Sequence, residues 1–321
     1  MKNSLVLLIC GLYMLTAITY SCKKEDPDPP TVTTVSVTQI TVTSALGGGD
    51  IASDGGSPVT ARGVCWSTQP NTSVADAHTS DSSGTGSYAS TITGLQPETS
   101  YYLRAYATNS AGTAYGQEIS FETLEQSGTF TDTRDNKEYK WVRIGDQVWM
   151  AENLTYLPSV SPSSGGSYTD PYYYVYGYEG SNLSEAKATD NFNTYGVLYN
   201  WPAAMVSCPD GWHLPTDEEW TELNDYLGGE SVAGGKLKET GTSHWESPNY
   251  GASNETGFTA LPGGVRGNGN FDSLDQYGNW WSATENYTDC AWGTSMAYFN
   301  SSVYRSFYIK QFGFSLRCLR D

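Results

Sequence analysis

Gly94-Leu95-Gln96-Pro97-Glu98-Thr99-Ser100-Tyr101-Tyr102-Leu103-Arg104-Ala105-Tyr106-Ala107-Thr108 decides the fold class of the first half of the chain. Gly94 and Pro97 punctuate a turn, and from Ser100 the run alternates. Tyr101, Leu103, Ala105 and Ala107 fall on one face, the period of a half-buried strand. Thr33 to Thr43 alternates too, with Val35, Val37, Ile40 and Val42 as its apolar positions. Thr60 to Ser67 sets Arg62, Val64 and Trp66 on one face and Cys65 on the other, and Tyr88 to Thr93 and Tyr115 to Thr123 read as further strands. Gly47-Gly48-Gly49, Asp54-Gly55-Gly56, Gly84-Thr85-Gly86 and Ala111-Gly112 read as the turns between them. Short strands punctuated this way predict a β-sandwich over residues 31–124.

The run from Leu95 to Tyr101 resembles the fibronectin type III tyrosine corner, in which a tyrosine opens a strand after a Leu-x-Pro turn. Tyr101 is the matching residue, and Ala107-Thr108-Asn109-Ser110-Ala111-Gly112 resembles the hairpin that follows it. The resemblance implies a spacer module.

Residues 125–128 form a short linker, and a second module occupies 129–321. Tyr139 to Ile144 and Val148 to Asn153 read as strands joined at Gly145-Asp146, a hairpin signal. Tyr156 to Asp190 reads as one long Tyr-, Ser-, Pro- and Gly-rich loop. Thr216-Asp217-Glu218-Glu219 is a capping box, so Glu218 to Leu227 is predicted as a helix, with Trp220, Leu223 and Leu227 on one face and Gly228-Gly229 as its stop. No other mature segment reads as a helix. The fold class is therefore mainly β with one helix.

Seven motifs occur in order: Phe130-Thr131-Asp132, Trp149-Met150-Ala151-Glu152-Asn153-Leu154, Tyr195-Gly196-Val197-Leu198-Tyr199-Asn200-Trp201, Cys208-Pro209-Asp210-Gly211-Trp212-His213-Leu214-Pro215, Leu261-Pro262-Gly263-Gly264, Trp280-Trp281-Ser282-Ala283-Thr284-Glu285 and Gly313-Phe314-Ser315-Leu316-Arg317-Cys318. Together they resemble the Fibrobacter succinogenes major paralogous domain over nearly all of 129–321. The resemblance implies an α+β, C-type-lectin-like fold related to the sulfatase-modifying factors, and membership among surface lipoproteins.

Lys2, an apolar stretch from Leu5 to Ile18, and Ser21-Cys22 compose an export signal over 1–21. A cysteine placed there resembles the lipidated residue of Bacteroidetes lipoproteins, which makes Cys22 the expected site of acylation and membrane anchoring. Lys23 to Pro30 is charged and Pro-rich, so 22–30 reads as an extended tether. It also resembles the signal that places such lipoproteins on the outer face of the outer membrane.

The net charge is −18; Lys2 is the only charged residue in 1–21, so its removal leaves 16 − 35 = −19. Without a basic stripe, that balance argues against nucleic-acid binding. Beyond Cys10 and Cys22 lie Cys65, Cys208, Cys290 and Cys318, which allow three pairings. The family motifs hold two of them, so the resemblance implies a Cys208–Cys318 disulfide. A copper oxidase of the formylglycine-generating type needs two neighbouring thiolates, and Cys290 stands alone. His78, His213 and His244 are far apart, no Cys-x-x-Cys occurs, and no P-loop or Gly-x-Ser-x-Gly elbow appears, so no metal centre and no enzyme class is predicted.

Calcium ligation is conceivable from Asp272, Asp275, Glu285, Asn286 and Asp289, although these also read as turn residues and surface charge. Tyr172, Tyr173, Tyr174 and Tyr176 form an aromatic loop that would suit sugar stacking, or would fold back and bury its rings. Trp280 and Trp281 should face opposite sides of one strand and serve mainly as core packing, while Trp281 also stands among the candidate ligand-binding residues with Glu285 and Asn286. The expected role is recognition of a glycan or a surface protein. A structural subunit of a surface assembly, such as a fimbrial tip, and a glycan-active enzyme are the alternatives.

Overall fold

A computed structural model describes residues 26–321. The expected export signal over 1–21 and the expected acylation site Cys22 lie outside the described residues. The chain divides into two compact units. The first takes in the residues up to Ile40, Ser44–Gly94 and Ser100–Glu122; the second takes in Thr41–Thr43, Leu95–Thr99 and Thr123–Asp321.

The first unit is all β: β1 (Thr31–Thr34), β2 (Ser44–Ser53), β3 (Ala61–Ser67), β4 (Ala77–His78), β5 (Gly86–Thr93), β6 (Ser100–Asn109), β7 (Gly112–Tyr115) and β8 (Ile119–Glu122). One sheet has the order β1-β2-β5; the other has β4-β3-β6-β7, with β8 also paired to β6. This partition of strands makes a fibronectin type III-like sandwich. Val64, Ile92, Leu103, Ala105 and Ala107 are buried as the alternation requires, and Tyr101 stacks on Phe121 at 5.7 Å.

Three expectations fail here, one of them the strand expected over Tyr115–Thr123, which 116–118 divide between β7 and β8. Gly47-Gly48-Gly49 is no turn but the middle of β2, and the strand expected over Thr33–Thr43 stops at Thr34. A Cβ at Gly49 would lie 2.6 Å from Ala105 Cβ, and one at Gly48 2.3 Å from Tyr88 O. The glycines let neighbouring chains approach, which strand glycines often do. The tether is also partly docked: Asp28 N donates to Gly55 O at 2.9 Å, and Asn109 Nδ2 donates to Asp28 O at 2.7 Å.

The second unit is α+β. Its elements are β9 (Ser127–Asp132), β10 (Lys137–Ile144), β11 (Gln147–Met150), β12 (Tyr173–Tyr174), α1 (Leu183–Lys187), α2 (Asp190–Tyr195), β13 (Leu198–Tyr199), α3 (Trp201–Ala204), β14 (Trp212–His213), α4 (Asp217–Tyr226), α5 (Glu230–Leu237), β15 (Val265–Arg266), β16 (Phe271–Asp272), β17 (Tyr277–Tyr287), β18 (Cys290–Ala297), β19 (Val303–Ile309) and β20 (Leu319–Arg320). A five-stranded sheet runs β14-β20-β11-β10-β9, and a three-stranded sheet runs β17-β18-β19.

Neighbouring residues on these strands serve two different cores. Trp141, Met150, Trp281 and Cys318 pack in one, with Tyr199, Trp212 and Phe314. Val142, Trp149, Trp280 and Leu319 pack in the other, with Trp220, Leu223 and Phe258. The expected alternation at Trp280-Trp281 therefore holds, but both sides of the strand are covered.

The capping box forms as predicted. Glu219 N donates to Thr216 Oγ1 at 3.2 Å, and Thr216 N donates to Glu219 Oε2 at 2.7 Å. The helix is not alone, because α1, α2, α3 and α5 accompany it. Gly234-Gly235 hid α5, since glycine is a poor helix former. Its helix packs so closely that a Cβ at Gly234 would lie 2.5 Å from Ser302 O, and one at Gly235 2.4 Å from Gly251 O.

Cys208 and Cys318 form a disulfide, with Cα atoms 5.9 Å apart. Cys65 is buried in the sandwich and Cys290 is half-buried; both are free thiols. Among the described residues no helix is long and apolar enough to cross a membrane.

Candidate functional site

The tyrosine loop does not supply an exposed aromatic platform. Tyr173 and Tyr174 form β12, which pairs with Leu198–Tyr199, and both rings are buried. Asn200 Oδ1 accepts from Tyr172 N at 2.7 Å, and Asn200 Nδ2 donates to Ser167 O and Asp170 O, so one buried amide folds the loop back. Burial pushes the Tyr174 hydroxyl up to about 12. Tyr172 and Tyr176 remain half-buried, the first stacked on Tyr174 and the second against Phe271. Trp281 is also withdrawn, fully buried with its Nε1 donating to Tyr199 O at 2.7 Å.

Glu285 does not stand free for calcium. The Lys310 ammonium pairs with its carboxylate and donates to Thr288 O at 2.8 Å. Asp275 accepts from Tyr195 OH at 2.7 Å. Among the described residues, no three His, Cys, Asp or Glu side chains converge as a metal site.

What the structure exposes instead is the outer end of one face of the three-stranded sheet, whose inner end, with Thr294, Met296 and Val303, is buried. The register sets Trp292 opposite Phe307, Thr294 opposite Arg305, Cys290 opposite Ile309 and Tyr287 opposite Cys290. Residues two apart on a strand share a face, so these rings line up on it. Arg305 lies 4.3 Å from the Trp292 ring centroid. Trp292 meets Phe307 edge-on at 6.0 Å, and Phe307 meets Tyr287 edge-on at 5.9 Å. Tyr287 is 65% exposed and Phe307 49%.

Both ends of this strip are fixed. Asp217, the first residue of α4, pairs with the Arg305 guanidinium and holds its pKa above the ordinary value. At the other end, Lys310 ties down the hairpin tip that carries Asn286 and Tyr287, and Lys310 N donates to Asp289 O at 3.0 Å. Asn286 is half-buried at that tip. The sequence reading stopped one residue short of Tyr287. Alternation over Val303, Arg305, Phe307 and Ile309 was the signal that could have found the rest.

Ile309 also lines an open cleft of about 320 Å³, together with Ser164, Tyr168, Asn268, Gln311 and Phe312. Arg266 closes its floor and donates to Ser163 O, Gly165 O and Gln311 O at 2.7–2.8 Å. Flat, partly dry rings beside amide groups can stack on the CH face of a sugar and bond its hydroxyls.

The family model described as the Fibrobacter succinogenes major domain matches residues 142–320. The chain belongs to this family. The match begins inside β10; β9 and the first part of β10, which pair with each other, lie before it. No curated protein matches the chain.

Similar solved structures include the sensor domain of the anti-sigma factor RsgI4 of Pseudobacteroides cellulosolvens. It is 22% identical, covers 30% of this chain and 97% of that one, and has a TM-score of 0.24. The sixth fibronectin type III domain of human fibronectin type III domain containing protein 3 is 26% identical, covers 33% and 94%, and has a TM-score of 0.23. Domains A168–A170 of titin are 25% identical, cover 31% and 32%, and have a TM-score of 0.23. The sandwich assignment rests on strand order, not on these scores.

Proposed function

We propose that this is a surface-exposed outer-membrane lipoprotein, anchored through Cys22, whose C-type-lectin-like head recognises glycans and acts in adhesion rather than catalysis. The observation that supports this reading is the exposed strip Tyr287–Phe307–Trp292–Arg305, braced at both ends by ion pairs. Exposed rings of this kind cost solvation unless a partner covers them. A rigid strip also loses little side-chain entropy on binding. Many copies on one cell would multiply weak single contacts.

The test is a glycan and mucin array probed with the purified protein, in calcium and in chelator. Binding that survives chelation supports the aromatic face as the ligand platform. Binding that chelation abolishes would contradict it, and binding to no glycan would move the role to protein recognition in a surface assembly.

A further inference from the structure

Three buried cations in the second unit have only neutral partners. Lys238, Arg266 and Arg317 each donate to three or more carbonyl or amide oxygens, and none forms an ion pair among the described residues. Lys238 is closed in on all sides by carbonyls, and Arg266 staples loops. Arg317 differs because it lines a cleft of about 220 Å³ that also holds Lys137, Lys140, Glu152 and Thr259.

Arg317 donates to Asn153 Oδ1 at 2.8 Å, to Met150 O at 3.1 Å, to Thr259 O at 2.7 Å and to Phe258 O. A guanidinium has five N–H groups, so four bonds leave one over. Burial pulls its pKa down to about 9, with Glu152 opposing only in part. The Glu152 carboxylate is partly engaged, because Lys140 N donates to its Oε2 at 2.9 Å. Thr259, whose carbonyl holds Arg317, sits at φ +55°, a rare conformation for a β-branched residue. Asn254 holds it there by accepting from Thr259 N at 2.8 Å. Such strain clusters at ligand sites. In a chain of net charge −18, this cleft collects three cations against one carboxylate.

We propose that the cleft between Lys137, Lys140 and Arg317 binds the carboxylate or sulfate group of an acidic sugar. The proposal rests on the head being a glycan binder, but not on the aromatic face. Arg317 fixes the anion's direction at the base, and the two exposed lysines supply screened attraction at the mouth.

The test titrates the purified full chain with galacturonate, galactose 6-sulfate and galactose, in low salt. Arg317 is left intact because its bonds hold the core. At least one acidic sugar should bind tenfold or more tightly than galactose, and the stronger of the two identifies the anion. K137E/K140E, which alters only exposed side chains, should remove that preference. Equal binding of acidic and neutral sugars, or a preference that survives K137E/K140E, would overturn the proposal. Failure of the aromatic-face reading shows separately, as neutral-glycan binding that F307A does not touch.

Discussion

Asn153 Oδ1 accepts two hydrogen bonds from residues more than 120 positions away, one from Arg317 Nε at 2.8 Å and one from Trp280 Nε1 at 3.1 Å. Asn153 Nδ2 adds a bond to Tyr195 O at 2.9 Å. One amide thus joins four of the seven ordered motifs, those holding Asn153, Tyr195, Trp280 and Arg317. Asn153→Ala would leave the buried Arg317 Nε–H and the buried Trp280 Nε1–H without acceptors. We expect a loss of about 3 kcal/mol, read from urea unfolding, since unsatisfied buried donors cost roughly 1–3 kcal/mol each. A change within 0.5 kcal/mol would show that the junction carries no weight.

The Cys208–Cys318 bridge closes a span of 110 residues. Chain entropy gives such a loop roughly 4–5 kcal/mol at most. Cys208→Ser with Cys318→Ser should lower Tm by roughly 10 °C or more. Reductant should lower the wild-type Tm and leave that of the double variant unchanged, because Cys65 and Cys290 are not bridged.

His213 sits between Asp321 Oδ1 at 2.7 Å and Glu219 Oε1 at 3.0 Å. Burial opposes its protonation, but hydrogen bonds to Asp321 and Glu219 outweigh this and raise its pKa. A raised folded value means stability fully present below the unfolded pKa of about 6.5 and lost as pH rises through the folded value. For Glu219, burial again opposes, while bonds from Thr216 and His213 lower its pKa, so its contribution is lost as pH falls. Tm measured from pH 6 to 9 should therefore decline more in the wild type than in His213→Gln. Parallel profiles would exclude the bridge as a contributor.

Lys238 Nζ donates to Tyr250 O, Ala297 O and Asn300 O. Burial pulls its pKa down to about 8, so between pH 8 and about 10 the folded chain binds fewer protons than the unfolded one. Stability should rise with pH over that window relative to Lys238→Met, measured by denaturant midpoints at matched ionic strength. An identical slope in both proteins would show that the ammonium does not titrate there.

What the sequence shows and what it hides divide along physical lines. The alternating strand at Ser100–Asn109, the hairpin at Gly145-Asp146 and the capping box at Thr216–Glu219 are local, and residues within a few positions determine each of them. Gly47–Gly49 and Gly234-Gly235 misled because glycine composition signals turns, while here it answers to a close approach by distant chain. The buried cations Arg266, Lys238 and Arg317 carry no local pattern, since they donate to backbone carbonyls up to 167 residues away. Tyr173 and Tyr174 look like a surface loop until Asn200, nearly thirty residues on, folds them inward. The aromatic strip was half legible: the alternation of Val303–Ile309 is in the sequence, but pairing with Trp292 and Tyr287 depends on register.

The most direct test of the recognition reading compares the wild type with Tyr287→Ala/Phe307→Ala on the strongest ligand of a glycan and mucin array. Both rings are exposed, so circular dichroism and Tm should stay close to wild type. The account predicts at least a tenfold loss of affinity in the double variant, in calcium and in chelator alike. Undiminished binding by a folded double variant would contradict it.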